Sequence, residues 1–141
     1  AALYIACQLC GVPRTLDEVA QKLRLGRKEI GRTVRTIKRE LRMKPMHAKP
    51  EDYIDRFCSD LGLAQQCRTL CAEWLVKIKE LELDSGRGPV GIAAALIYMA
   101  SIVTGQNRTQ REIADTTNVT EVTIRNRYKE LSKALDIKVD N

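Results

Sequence analysis

Apolar positions recur along this chain with the period of a helix. In one stretch they are Ile30, Val34, Ile37 and Leu41. After Glu121 they are Ile124, Tyr128, Leu131 and Leu135, which at 100° per residue span about 60° of a helical wheel. A third stripe runs through Leu70, Trp74, Leu75, Ile78 and Leu81. "PEDYIDRFCSDLGL" predicts a further helix, with Pro50 suited to its first turn. "AALYIACQLC" and "PVGIAAALIYMASIV" are nearly apolar throughout, as helices at the centre of a core are. The pattern predicts an all-α fold.

The punctuation between these segments is repeated. Gly11 and Gly105 each follow an apolar helix and supply a positive φ at its C-terminal cap. Thr15-x-x-Glu18 and Thr109-x-x-Glu112 are capping boxes that start the next helix. A tight turn follows, of four residues in the second case, and then a longer amphipathic helix. This is the helix-turn-helix order.

The repetition extends to the residues themselves. A shift of 94, with no gap, pairs Ala1 with Ala95, Tyr4 with Tyr98 and Gly11 with Gly105. It also pairs Arg14-Thr15 with Arg108-Thr109, Glu18 with Glu112, Ile30 with Ile124 and Leu41 with Leu135. Two copies of one helical domain in tandem are expected, residues 1–46 and 47–141, joined by the stiff linker "MKPMHAKP". The second copy has five helices. The first has the last three of these, and is expected to be truncated at its N-terminus. Its first helix should then bury Leu3, Ile5 and Leu9 partly against helices that the chain lacks.

The outer faces of the two long helices differ. Lys28, Arg32, Arg35, Arg39 and Arg42 form an almost purely cationic stripe in the first copy. Like charges one turn apart repel, and an anionic partner is the simplest compensation. In the second copy the outer face is Val122, Arg125, Asn126, Lys129 and Lys133, with Arg127 on the border of the apolar stripe. That mixture suits base reading. A methyl-bearing residue can touch thymine, Arg can bind a guanine edge, Asn can pair with adenine, and Lys can take phosphate.

Charge follows the same division. Residues 1–46 hold 11 basic and 4 acidic side chains, and residues 47–141 hold 13 and 14. A basic half is a footprint for polyanions. The five cysteines are an odd number, and the first ten residues carry neither a basic leader nor a cleavage site, which points to a reducing compartment. Cys7-x-x-Cys10 is half of a zinc motif, but no second pair exists and the one histidine, His47, sits in the linker. No metal and no cofactor are expected. The chain has neither a histidine-centred triad nor a Walker loop, and "SGRGPVG" lacks the spacing, so no enzyme is expected.

The blocks "GVPRTLDEVA", "RKEIGRTVRTIKREL", "GRGPVGIAAALIYMAS", "RTQREIA" and "VTEVTIRNRYKEL" resemble the C-terminal core of general transcription initiation factor IIB. The likeness is strongest to the archaeal form, transcription factor B, and covers nearly the whole chain. It implies two cyclin-like repeats that bind the complex of TATA-binding protein with promoter DNA and help position RNA polymerase. It implies that the second repeat reads the B-recognition element, upstream of the TATA box, through Val122 and Arg125. Thr123, Asn126 and Lys129 are neighbours, Arg87 is a loop contact, and Arg108 and Thr109 sit at a helix N-terminus suited to phosphate. In the first repeat it implies backbone contact, or docking to an acidic stirrup of the TATA-binding protein, by Arg14, Lys28, Arg32, Arg35 and Arg39. Gly31 stands where Arg125 stands in the second copy. The family's zinc ribbon is absent, so polymerase recruitment is not expected of this chain alone. The implied location is the archaeal cytoplasm, at the nucleoid, or a nucleus if the source is eukaryotic. The alternatives are a polymerase III Brf-like factor and a cyclin-like scaffold that binds only proteins.

Overall fold

The computed structural model describes residues 1–12, 14–44 and 48–139. His47 and the centre of the linker lie outside the described residues. Two compact units are present, Ala1–Ala48 and Lys49–Asn141. Among the described residues there are eight helices and no strand.

The first unit holds α1 (Ala2–Leu9), α2 (Leu16–Leu23) and α3 (Arg27–Glu40). Its core is Ile5, Val19, Ala20, Ile30 and Val34, with Tyr4, Leu16, Ile37 and Met43 packed against it. The second unit holds α4 (Glu51–Asp60), α5 (Gln65–Glu80), α6 (Pro89–Val103), α7 (Gln110–Thr117) and α8 (Glu121–Leu135). Helix α6 is its axis: α4, α5, α7 and α8 all pack on it. Every residue from Gly91 to Ser101 is buried. Small side chains at Ala93, Ala94, Ala95 and Ala100 let four neighbours approach one helix.

The two copies of this helix meet different surroundings. Leu3 is 49% exposed, whereas its counterpart Ile97 is 0% exposed. Of Leu3, Ile5 and Leu9, only Ile5 is buried within the unit. Leu3 and Leu9 lie open; the counterpart of Leu9, Val103, is also exposed, so only Leu3 differs from its match in the second copy, where α4 and α5 pack on α6.

The turns follow the capping chemistry. Thr15 and Thr109 each accept a hydrogen bond from the backbone of the glutamate three residues on, and the glutamate carboxylate accepts one in return. Gly11 and Gly105 take φ of 67° and 73° at the ends of α1 and α6. Three residues, not four, separate α7 from α8, beginning with left-handed Asn118.

Two stripe positions depart from the periodicity. Leu41 and Leu81, expected on buried faces, are 67% and 54% exposed. Each is the cap residue just past its helix, which ends one residue before it, so the inward stripes end at Ile37 and Ile78. Arg42 and Glu82 then turn left-handed, and the N–H groups of Met43 and Leu83 donate back to the carbonyls of Lys38 and Ile78. This reversal returns Met43, rather than Leu41, to the core. Arg42 for the same reason stands beyond α3 and not on its outer face.

Cys58, Cys67 and Cys71 are buried together between α4 and α5, and all are free thiols. Bonding to Cys58 and Cys67, followed by burial, pushes the Cys71 thiol up. Buried thiols of this kind are inert. In a native thiol titration exposed Cys10 and half-buried Cys7 should react first. The other three should react only as the second unit unfolds. Rapid reaction of all five would mean that α4 and α5 open readily.

Candidate nucleic-acid interface

Helix α8 is fixed about its own axis from two sides. At its start Thr120 accepts a hydrogen bond from the Thr123 N–H at 3.2 Å. Along its length Ile124 and Leu131 are buried, and the Tyr128 ring packs on Tyr98 of α6 with centroids 4.8 Å apart. With that stripe held inward, the opposite stripe is forced outward. Val122 is 60% exposed, and Arg125, Asn126, Lys129 and Lys133 are exposed with it. The side chains of Arg125, Asn126 and Lys129 make no hydrogen bond or ion pair with a described residue; Ser132 Oγ donates only to the Lys129 carbonyl. Their donors are therefore available to a ligand.

The other candidates of the second copy are held differently. Thr123 is half-buried: its hydroxyl meets that of Thr120 at 2.9 Å, and its methyl faces Gly91, where a Cβ would lie 3.6 Å away. It borders the outward stripe rather than standing on it. Thr109 caps α7, and its backbone and side-chain hydrogen bonds hold the Glu112 carboxyl below its usual range. Arg108 turns inward. Its Nε and Nη2 donate to the Leu61 carbonyl at 3.1 and 2.8 Å, and its Nη1 to those of Gln106 and Asn107. It ties the α4–α5 loop to the loop before α7. Gln106 adds a second tie by accepting from the Ala64 N–H at 2.8 Å.

Arg87, in the loop before α6, is ion-paired with Glu130 of α8. The other oxygen of Glu130 accepts from Arg127 Nη1 at 2.9 Å. The border position of Arg127 is thus occupied by an ion pair, not by core packing. The sequence carried no direct signal for Glu130, because its partner Arg87 lies 43 residues away.

In the first copy Lys28, Arg32, Arg35 and Arg39 are all exposed on α3. Beside them runs a groove of about 530 Å³ with Tyr4, Leu16, Gly31 and Val34 among its lining. The absence of a side chain at Gly31 opens it: a Cβ there would meet nothing nearer than Leu16 Cδ1 at 4.0 Å. Arg27 and Lys38, not singled out in the sequence, also line it. Lys38 is fixed there by donating to Gln8 Oε1 at 2.7 Å. Arg14 is not part of this stripe. It lines a separate groove with Leu3, Cys7 and Lys22.

Among the described residues no group of His, Cys, Asp and Glu side chains is arranged to hold a metal ion. No helix among them is long and apolar enough to cross a membrane.

The family model of the transcription factor TFIIB repeat matches residues 1–40 and again 43–134. The chain is 58% identical over 139 residues to transcription initiation factor IIB of Methanosarcina mazei, covering 99% of this chain and 41% of that protein. It is 58% identical to the protein of the same name from Archaeoglobus fulgidus, covering 43% of it. It is 56% identical to that of Methanococcus maripaludis, covering 41% of it. The chain thus spans less than half the length of these relatives.

Proposed function

The chain belongs to the transcription factor TFIIB repeat family, and from that premise we propose that it is the promoter-binding core of an archaeal-type initiation factor. In this reading it joins the complex of TATA-binding protein with promoter DNA, and α8 enters the major groove upstream of the TATA box. The observation that carries the reading is the outward stripe Val122, Arg125, Asn126 and Lys129, whose polar side chains pair with no described residue, on a helix whose opposite side is locked. Val122 and Arg125 read base edges, Asn126 assists, and Lys129 meets phosphate. Thr109 and Thr123 act at the margin. Arg108 acts through the fold, holding the loop before α7, because carbonyl groups already occupy its guanidinium. Arg14, Lys28, Arg32, Arg35 and Arg39 supply contacts to DNA backbone or to an acidic surface of the TATA-binding protein. Positioning of RNA polymerase belongs to the assembled factor, through regions beyond this chain.

A gel-shift titration tests the proposal. The chain should bind the complex of TATA-binding protein and promoter duplex more tightly than it binds either component. If the TATA-binding protein adds nothing to affinity, the initiation-factor reading fails. A scaffold that binds only proteins would ignore the duplex at every salt concentration.

The first copy should contribute without reading sequence. Arg32→Ala or Arg35→Ala should weaken assembly about equally on all promoters. If these cations meet phosphate, each loss should make the slope of log K against log salt shallower by up to ~0.9. If they dock an acidic protein surface, neutralising that surface should abolish the defect. Wild-type assembly at every salt concentration would assign the stripe to solvent.

A further inference from the structure

Glu130 holds two arginines from different parts of the chain. One oxygen pairs with Nη2 of Arg87 in the loop before α6, and the other with Nη1 of Arg127 on its own helix. All three side chains are close to 30% exposed, so the cluster lies at the surface and not in the core. Glu130 is about 80° from Val122 and about 40° from Asn126 around α8. The cluster therefore edges the stripe assigned above to DNA. Arg87 is not used up by this pairing. Its Nε is closed off from solvent and has no hydrogen-bond partner among the described residues.

The electrostatic consequence follows from what nonspecific binding requires. Capture of an arbitrary duplex is driven by free cations near its phosphates. Glu130 removes one positive charge from that inventory and fixes Arg87 against α8. Such a partly exposed pair is weak, so it can yield to a closer anion. A phosphate brought against the loop by a seated duplex offers Arg87 the stronger, two-pronged partner. Arg127 then keeps Glu130.

We propose that Glu130 determines specificity by positioning Arg87: it withholds this cation from phosphate until a duplex is seated along Val122, Arg125 and Lys129. The inference rests on the reading of α8 as the DNA-facing helix. Glu130 itself touches no DNA.

The test uses the full chain, a promoter duplex and a scrambled duplex of equal length, titrated over a range of salt. Glu130→Gln keeps the size of the side chain and removes its charge. It should bind the scrambled duplex about threefold to fivefold more tightly at low salt, with a slope steeper by up to ~0.9. The promoter should gain less, so the ratio between the two duplexes should fall. In the double variant Arg87→Ala/Glu130→Gln, compared with Arg87→Ala alone, the gain should vanish. Unchanged or weaker binding to the scrambled duplex overturns the proposal. So does a gain that persists without Arg87, since Glu130 would then act only as a general negative charge. Failure of the underlying reading looks different. Arg125→Ala would lose the same affinity on both duplexes, while the gain in Glu130→Gln, which needs only phosphate, would still be measurable.

Discussion

Arg125→Ala is expected to cost about 1–3 kcal/mol on a promoter carrying the upstream element, roughly a fivefold to 150-fold loss of affinity. On a promoter whose contacted guanine is replaced it should cost little. The physical reason is geometric. Arg125 lies one turn into α8, exposed, on the stripe opposite buried Ile124 and Leu131. The capped start of the helix and the Tyr98–Tyr128 contact prevent rotation that would turn it elsewhere. Its guanidinium, without a partner among the described residues, can make two parallel bonds to one guanine edge, and no other base presents the same pair of acceptors. Lys129→Ala should weaken both promoters alike, as loss of a phosphate contact does. The measurement compares two variants on two duplexes. Equal losses for Arg125→Ala on both duplexes would make it a backbone anchor, and sequence reading through α8 would be abandoned.

The second large effect concerns stability, and pairs two equivalent positions. Ile97→Ala should destabilise the second unit by about 2–5 kcal/mol, because the side chain is fully enclosed and its removal leaves a cavity. The sole tryptophan, Trp74, lies 6% exposed in the same unit, so its fluorescence reports that transition in urea. Leu3→Ala, at the matching position of the first copy, should cost under about 1 kcal/mol, since half the side chain already meets solvent. Amide exchange, which resolves the two units, should show less protection in residues 1–42 than in 88–135. A cost at Leu3 as large as that at Ile97 would mean that something covers α1 in solution, a second chain being the simplest candidate.

The helices, their order and the duplication were legible in the sequence because each rests on local chemistry. A capping box needs only Thr109 and Glu112, three residues apart, and an apolar stripe needs only side chains within a few turns. The outward stripe on α8 was legible for the same reason: once Ile124, Tyr128 and Leu131 face inward, Arg125 and Lys129 have one direction left. Periodicity misled at helix ends. Leu41 and Leu81 keep the spacing, but each sits at a cap where the chain reverses, and the reversal is set by the left-handed turn at the next residue.

What the sequence determined alone is the set of elements and the faces they present, since both depend on neighbours along the chain. The tertiary structure decided which charges remain free. Arg87, Arg108 and Arg125 were all candidates for DNA contact in the sequence, in different roles. Arg108 donates to Leu61, 47 residues away, and Arg87 pairs with Glu130, 43 residues away; Arg125 pairs with nothing described. The repeat made Leu3 and Ile97 look alike, yet one is half exposed and the other enclosed. An ion pair, a cavity or an exposed face is a property of atoms brought together across the chain, and in the second copy the packing of four helices on α6 brings them together.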